Sequence, residues 1–385
     1  MKISDRADAI NESSTTQFTA IIAKLRKEGK DVIDMAVGEP DLETPINIID
    51  ATKKALDDKK TRYSVVSGIL ELKKSICKRF SENDLDYSPE NILICNGAKQ
   101  ALYTIFQTMC DPGDEVIIQV PYWVSFSEQV KLAGAIPVYV DTINDQPDIK
   151  KIKESITKNT KAIVLNSPNN PTGAVYKRND MEAIASIAVE NDLFVISDES
   201  YDSLVYDGMK NISIASLNEE IKKRTFVVKT FSKEFSMTGF RVGYVAAEKG
   251  LVSAMNKLQG HITGNVCTFA QHGAISAFDM GKEEIEKRTL LFQKKRDLAY
   301  KRARELFECT KPEGAFYLFL DVKNILDDKI KTSEDFSAWL LEKAHVAVVP
   351  GEAFGSPGHI RLSYANSEEN IIKGWDRIDK ILETL

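Results

Sequence analysis

The chain has 385 residues, 43% of them hydrophobic, enough for one large domain and a smaller one, and too long and too apolar for a disordered tail. Its formal net charge is −6, with acids and bases interleaved along the length, so no basic stripe is offered to nucleic acid. No apolar run reaches bilayer length and the start, Met1-Lys2-Ile3-Ser4-Asp5, has no apolar leader core, so a cytoplasmic protein without membrane contact is expected.

In chain order, a helix over 20–29 and an extended run over 32–37 come first and stand apart from the regular alternation of the middle of the chain. Seven short β-rich runs then alternate with helix-period segments, at 91–95, 115–120, 136–140, 162–165, 193–197, 225–229 and 243–247. Between the first two, Ala98, Ala101, Leu102, Ile105, Phe106 and Met109 recur at helical spacing before the stop Asp111-Pro112-Gly113-Asp114. This alternation predicts an α/β fold with a doubly wound, mostly parallel sheet. From about Gly281 the pattern changes to a long charged helix, a strand opened by Pro312-Glu313-Gly314, a helix near 333–344, two further strands and a terminal helix. A large domain over 46–285 and a smaller one formed by 1–45 with 286–385 are expected. The five cysteines are scattered without a CxxC pair, as in a reducing compartment, and the four histidines show no ligand spacing, so no metal site is expected.

Ligands of open parallel sheets sit where strand ends meet the next loop, so these junctions are where chemistry is sought. Asn96-Gly97-Ala98-Lys99 is a glycine turn opening a helix, a place for a phosphate or simply an ordinary βα turn. Asn166-Ser167-Pro168-Asn169-Asn170-Pro171 joins two rigid prolines to three amides. Ser197-Asp198-Glu199-Ser200-Tyr201 puts an acid at the mouth of the sheet, where it needs a cation, with a phenol three residues on. Thr230-Phe231-Ser232-Lys233 carries a lysine at a strand end with Arg241 eight residues later. That lysine is either a surface charge or a Schiff-base lysine beside a phosphate-binding arginine. GxGxxG, GxxxxGK[ST] and GxSxG are all missing from the sequence, which weakens the nucleotide-binding and hydrolase readings of such a sheet. The assembled groups match pyridoxal phosphate.

The sequence resembles the class I aminotransferases of fold type I, in the bacterial aspartate aminotransferase branch, over almost its whole length. The resemblance rests on Val37-Gly38-Glu39-Pro40-Asp41, Gly97-Ala98-Lys99-Gln100, Pro121-Tyr122-Trp123-Val124, Asn169-Asn170-Pro171-Thr172-Gly173, Ser197 to Tyr201, Ser232-Lys233 with Arg241, and Ile360-Arg361-Leu362-Ser363-Tyr364, in the family's order. It implies a pyridoxal 5'-phosphate enzyme with a seven-stranded mostly parallel sheet in its large domain and a smaller α/β domain. Lys233 resembles the lysine that holds the cofactor as a Schiff base and shuttles the substrate proton. Asp198 then faces the pyridine nitrogen, Asn170 and Tyr201 bond the ring oxygen, and Trp123 stacks on the ring. Gly97, Ala98, Lys99, Thr230 and Arg241 surround the phosphate. Tyr63 resembles a tyrosine that reaches the neighbouring subunit's phosphate, which implies a homodimer with shared sites. Arg361, helped by Asn170 and the Gly38 backbone, resembles the grip on the substrate α-carboxylate. Gly264, Val266, Ser127 and Leu70 depart from residues common in the family, and altered loop rigidity is the expected effect.

The implied reaction moves the amino group of an L-amino acid, aspartate, to a 2-oxo acid such as 2-oxoglutarate in a ping-pong cycle. Lys99 is the candidate cation for a distal carboxylate, or serves the phosphate alone, and Ser13 with Thr15 resembles a strip that closes over substrate. An aromatic or prephenate substrate, and a C–S or β-lyase reaction on the same scaffold, remain open alternatives. A cofactor-binding transcription regulator would need a DNA-binding module for which no residues are left over.

Overall fold

The computed structural model of the chain describes residues 3–10 and 14–384. Among the described residues twelve short strands form three sheets. The strands are β1 (Ile33–Asp34), β2 (Ile92–Cys95), β3 (Glu115–Val120), β4 (Ile136–Asp141), β5 (Thr160–Asn166), β6 (Phe194–Asp198), β7 (Thr225–Thr230) and β8 (Gly243–Ala246). They continue with β9 (Tyr317–Asp321), β10 (Val346–Ala347), β11 (Val349–Pro350) and β12 (His359–Ser363).

The central sheet has seven strands in the order β2-β8-β7-β6-β5-β3-β4, and only β8 runs against its neighbours. Both faces are covered, which is why its strands read as near-continuous apolar runs. Successive residues alternate between the two faces. Leu93, Ile118, Val164, Ile196, Val228 and Val245 pack with the helix Gly97–Met109 on one side. Ile92, Ile94, Val227 and Ala246, with Ile163 and Val195, pack on the other. Burying each of the Leu, Ile and Val side chains contributes about 1.5–3 kcal/mol.

The remaining strands lie in a two-stranded parallel sheet, β1-β10, and a three-stranded antiparallel sheet, β11-β12-β9. Around them Trp375, Phe336, Phe292, Leu320 and Leu362 form one core with the helices Lys282–Leu306, Ser333–Lys343 and Glu368–Leu382. Tyr201, Leu204 and Tyr206, from the loop after β6, reach into the same core, so the segment beyond Asp198 is packed against the C-terminal part of the chain.

Two expectations are corrected. The run expected over 32–37 pairs as a strand only at Ile33–Asp34. The Asp34 side chain accepts the backbone N–H groups of Ala36 and Val37, and this turn takes the chain out of the ladder. Beyond the helix Ser333–Lys343 there are three short strands, not two, because the backbone at Val348 passes from pairing with β1 to pairing with β12.

Ser13 and the side chain of Thr15 lie outside the described residues. Among the described residues no helix is long and apolar enough to cross a membrane, and no cluster of three or more His, Cys, Asp or Glu could hold a metal ion.

Candidate active site

The C-terminal ends of β2, β5, β6 and β7 and the start of β8 meet at one edge of the sheet. Pairing sets Asn166 beside Asp198, and places Gly243 opposite both Cys95 and Thr230. A cavity of about 340 Å³ opens there, and its walls include Gly38, Ala98, Lys99, Trp123, Asn170, Asp198, Tyr201, Thr230, Lys233, Arg241 and Arg361. Residues more than 300 positions apart in the chain thus meet in one cleft, roofed by Val37, Gly38 and Glu39 after the Asp34 turn.

At the inner end, Asp198 is 4% exposed, and burial pushes its carboxyl up to about 6 even though the Ser200 hydroxyl and backbone N–H both donate to it. Its Oδ1 lies 2.6 Å from Ser200 Oγ. Lys233 donates to the Gly38 carbonyl at 2.5 Å, and burial, then the nearby Arg361, brings its ammonium down to about 8. A Cβ on Gly38 would stand 2.6 Å from the Tyr317 hydroxyl oxygen, so the backbone reaches Lys233 only because this residue is glycine.

On one wall, Arg361 is 2% exposed and donates to Asn170 Oδ1 at 2.9 Å and to the Ala36 carbonyl at 2.6 Å. Its guanidinium carbon lies 4.4 Å from the Tyr317 ring centroid and 5.0 Å from that of Phe354. Among the described residues its Nε has no hydrogen-bond partner. A planar cation held by rings and neutral acceptors in a buried wall is prepared for an incoming carboxylate.

At the outer end, the helix Gly97–Met109 begins without a side-chain cap from Asn96, leaving its first N–H groups for an anion. Gly97 has φ +75°, and a Cβ there would lie 2.6 Å from Arg241 Nη2, so glycine both makes the turn and lets the guanidinium approach. Arg241 is itself left-handed, with φ 55°, and donates to the Thr238 carbonyl at 2.8 Å. Thr230 Oγ1 caps the short helix Phe231–Glu234 through Ser232 N at 3.2 Å.

The profile of the family "Aminotransferase class I and II" matches residues 30–378. The chain belongs to this family. The aminotransferase is 42% identical over 390 residues to an aspartate aminotransferase of Bacillus subtilis (strain 168), covering 100% of this chain and 99% of that protein. It is also 42% identical over 391 residues to a probable aspartate/prephenate aminotransferase of Aquifex aeolicus, covering 100% and 99%. In structure it superposes on the aspartate aminotransferase from Thermus thermophilus with maleate at a TM-score of 0.94 and 37% identity, covering 99% and 100% of the two chains. The aspartate aminotransferase from Rhizobium meliloti gives 0.95 and 34%, covering 100% and 99%. The aminotransferase therefore has the fold-type I architecture that the sequence motifs implied.

Of the thirteen site residues named from the sequence, eleven line the cavity. Gly97 contributes through its backbone and the space it leaves for Arg241, and Tyr63 stands apart at 98% exposure. Sequence reasoning missed Tyr317, whose hydroxyl lies 2.8 Å from that of Tyr201, and Ser200, which holds Asp198. It also missed Glu39, which accepts from the Thr238 hydroxyl across the cavity mouth. Phe316-Tyr317 after a Pro-Glu-Gly turn was the available signal for the first, since a phenol opening a buried strand needs a partner.

Proposed function

We propose that the aminotransferase moves the amino group of L-aspartate to a 2-oxo acid such as 2-oxoglutarate, using pyridoxal 5'-phosphate held in the Lys233 cavity. The observation that carries this reading is the set of charges along one cleft: a buried acid at one end, a buried arginine on one wall, and a lysine with an arginine at the other end. When bound, the cofactor supplies a ring that takes up the electron pair left at substrate Cα. The residues fit that group. Asp198, whose charge burial disfavours, would gain from a protonated ring nitrogen beside it. The helix start at Gly97 to Lys99, the Thr230 hydroxyl and Arg241 suit a phosphate. Trp123 offers an aromatic face, and Asn170 and Tyr201 offer donors to the ring oxygen.

Arg361 grips the α-carboxylate with a bidentate fork and so orients the bond from Cα to the proton that must leave. Lys233, with its ammonium near 8, takes that proton and returns it. Lys99 answers a second carboxylate. Its ammonium sits 5.2 Å from the Trp123 ring centroid, and burial first and Arg241 second lower its pKa, so an anion arriving there relieves both effects. The Thermus relative superposes in a structure with maleate, a dicarboxylate, which favours the same substrate class here. A second reading, prephenate as acceptor, is favoured by the Aquifex relative and by the same lysine, because prephenate also carries a second carboxylate.

Division into a larger unit over 46–285 and a smaller one from 1–45 with 286–385 is supported by the core around Trp375, which is built mostly from residues after 285 with Ile33 and Met35. A homodimer with shared sites is supported by Tyr63 at 98% exposure, with Val65 at 67% and Leu70 at 52% nearby in the chain, apolar surface that a second chain would cover. The free thiols of all five cysteines accord with the cytoplasm.

The test is to add single L-amino acids, without any 2-oxo acid, to the cofactor-loaded protein and measure its absorbance. Aspartate and glutamate are expected to change the cofactor band, and Lys99→Ser to lower the rate constant per molar aspartate by about 100-fold, against less than about threefold for phenylalanine. Equal losses for both donors would assign Lys99 to the phosphate. A band that responds only to aromatic donors overturns the acidic substrate.

A further inference from the structure

A second ionic cluster lies on the face of β7 opposite Thr230, which lines the cavity. Lys229 Nζ is 2.5 Å from Asp202 Oδ2 and 3.6 Å from Glu199 Oε2, over the Phe80 ring at 5.3 Å. The side chains of Lys229 and Glu199 are 15% and 3% exposed. Glu199 also accepts from Ser197 Oγ at 3.0 Å and from Ser213 Oγ at 2.5 Å. Both carboxylates held by Lys229 belong to the turn that carries Asp198 and Tyr201, while Lys229 itself stands four residues before Lys233.

We propose that Lys229 is a positioning residue: it ties the 198–202 turn to the strand leading to Lys233, and it neutralises Glu199 next to Asp198, so that Asp198 and Tyr201 keep their places against the cofactor. This rests on the reading of the cavity as a pyridoxal phosphate site. Backbone pairing alone leaves the turn weakly held. Glu199 N donates to the Val228 carbonyl at 2.9 Å, and Asp202 N only back to Glu199 within the turn, at 3.2 Å. The side-chain clamp supplies what the ladder lacks.

The electrostatics agree with the geometry. Burial alone drives the Lys229 ammonium down, and Asp202 and Glu199 more than offset that, so the lysine stays charged. Burial raises the Glu199 carboxyl and Lys229 opposes it. Glu199 is in turn one of the groups that push Asp198 up. Without Lys229, Glu199 has two courses. It takes up a proton and lets the turn loosen, or it keeps its charge and makes the Asp198 anion harder to hold. Both weaken the partner of the ring nitrogen and leave the Arg361 end untouched.

The experiment titrates cofactor-free protein with pyridoxal phosphate by absorbance, and measures kcat and KM for the amino donor and the thermal midpoint, in wild type, Lys229→Met and Lys229→Met with Glu199→Gln. Lys229→Met is expected to bind the cofactor about tenfold more weakly and to lose about tenfold in kcat, with KM for the donor within about twofold. The double variant, which removes both charges, is expected to recover at least half of the affinity loss on a logarithmic scale. Unchanged affinity and kcat in Lys229→Met with only a lower thermal midpoint overturns the proposal, and a double variant no better than the single one overturns the neutralisation of Glu199 and leaves the tie between turn and strand as the role of Lys229. If Lys229→Met does not fold, Asp202→Asn is read on the same titration: about threefold weaker binding supports the clamp, and wild-type affinity overturns it. A wild-type chain that does not bind pyridoxal phosphate removes the underlying reading itself, which the wild-type titration shows by itself.

Discussion

Replacement of Lys233 by alanine is expected to lower kcat by about 10² to 10⁴-fold, the range lost when a positioned proton-transfer group is removed, while leaving the fold intact. Among the described residues the lysine side chain's hydrogen bond goes to the Gly38 carbonyl, and the turn that carries it is held independently by the Thr230 cap and the buried Phe231 ring. The pH dependence has its origin in the same burial. An amine attacks an aldehyde only when neutral, and a lysine with a pKa near 8 becomes neutral as pH rises through 8, well below the ordinary 10.5. The rate at which cofactor-free wild type captures pyridoxal phosphate should therefore climb up to about pH 8 and level off above it, and after reduction with borohydride, denaturation and dialysis wild type should keep the cofactor on Lys233 while Lys233→Ala keeps none. Turnover retained in the alanine variant would remove Lys233 from the chemistry, and a capture rate still rising through pH 10 would show that the amine is not buried as described.

The parts of the site that could be read from the sequence are those in which neighbouring residues carry the signal. The seven sheet strands were legible because each is a short apolar run closed by a polar junction. Asp198 and Lys233 were legible because each sits on such a junction, where a charge has no packing reason to be. Contacts made across the fold were not legible. Tyr201 and Tyr317 are 116 residues apart, and nothing local to either states that their hydroxyls meet. Lys229 read as the end of a strand, since its partners Glu199 and Asp202 come within reach only when β6 and β7 pair. The run over 32–37 read as one segment, whereas the Asp34 side chain breaks the ladder and turns Ala36 toward Arg361. The change of pattern near Gly281 was visible, but the insertion of Tyr201, Leu204 and Tyr206 into the C-terminal core was not, because it depends on where the loop after β6 comes to rest.

Substitution of Asp198 by asparagine is expected to lower kcat by about 10² to 10³-fold while the protein still folds and still binds pyridoxal phosphate. Asparagine has the shape of the acid and keeps an oxygen for the Ser200 hydroxyl and N–H, so the turn is preserved and only the charge is lost. A neutral amide would not keep the nitrogen of a bound pyridine ring protonated, and the ring would then take up the electron pair left at Cα less readily. The sign of the pH effect separates this loss from a packing fault. Burial holds the Asp198 carboxyl near 6 in the cofactor-free chain, so the anion is present above that pH and is lost as pH falls through it. Wild-type affinity for pyridoxal phosphate should then fall on the acid side of about pH 6, and the asparagine variant, having no carboxyl to protonate, should lack that limb. A wild-type profile flat from pH 5 to 8, or an asparagine variant that keeps the same acid limb, would show that another group governs cofactor binding and that Asp198 does not face a cation in the cleft.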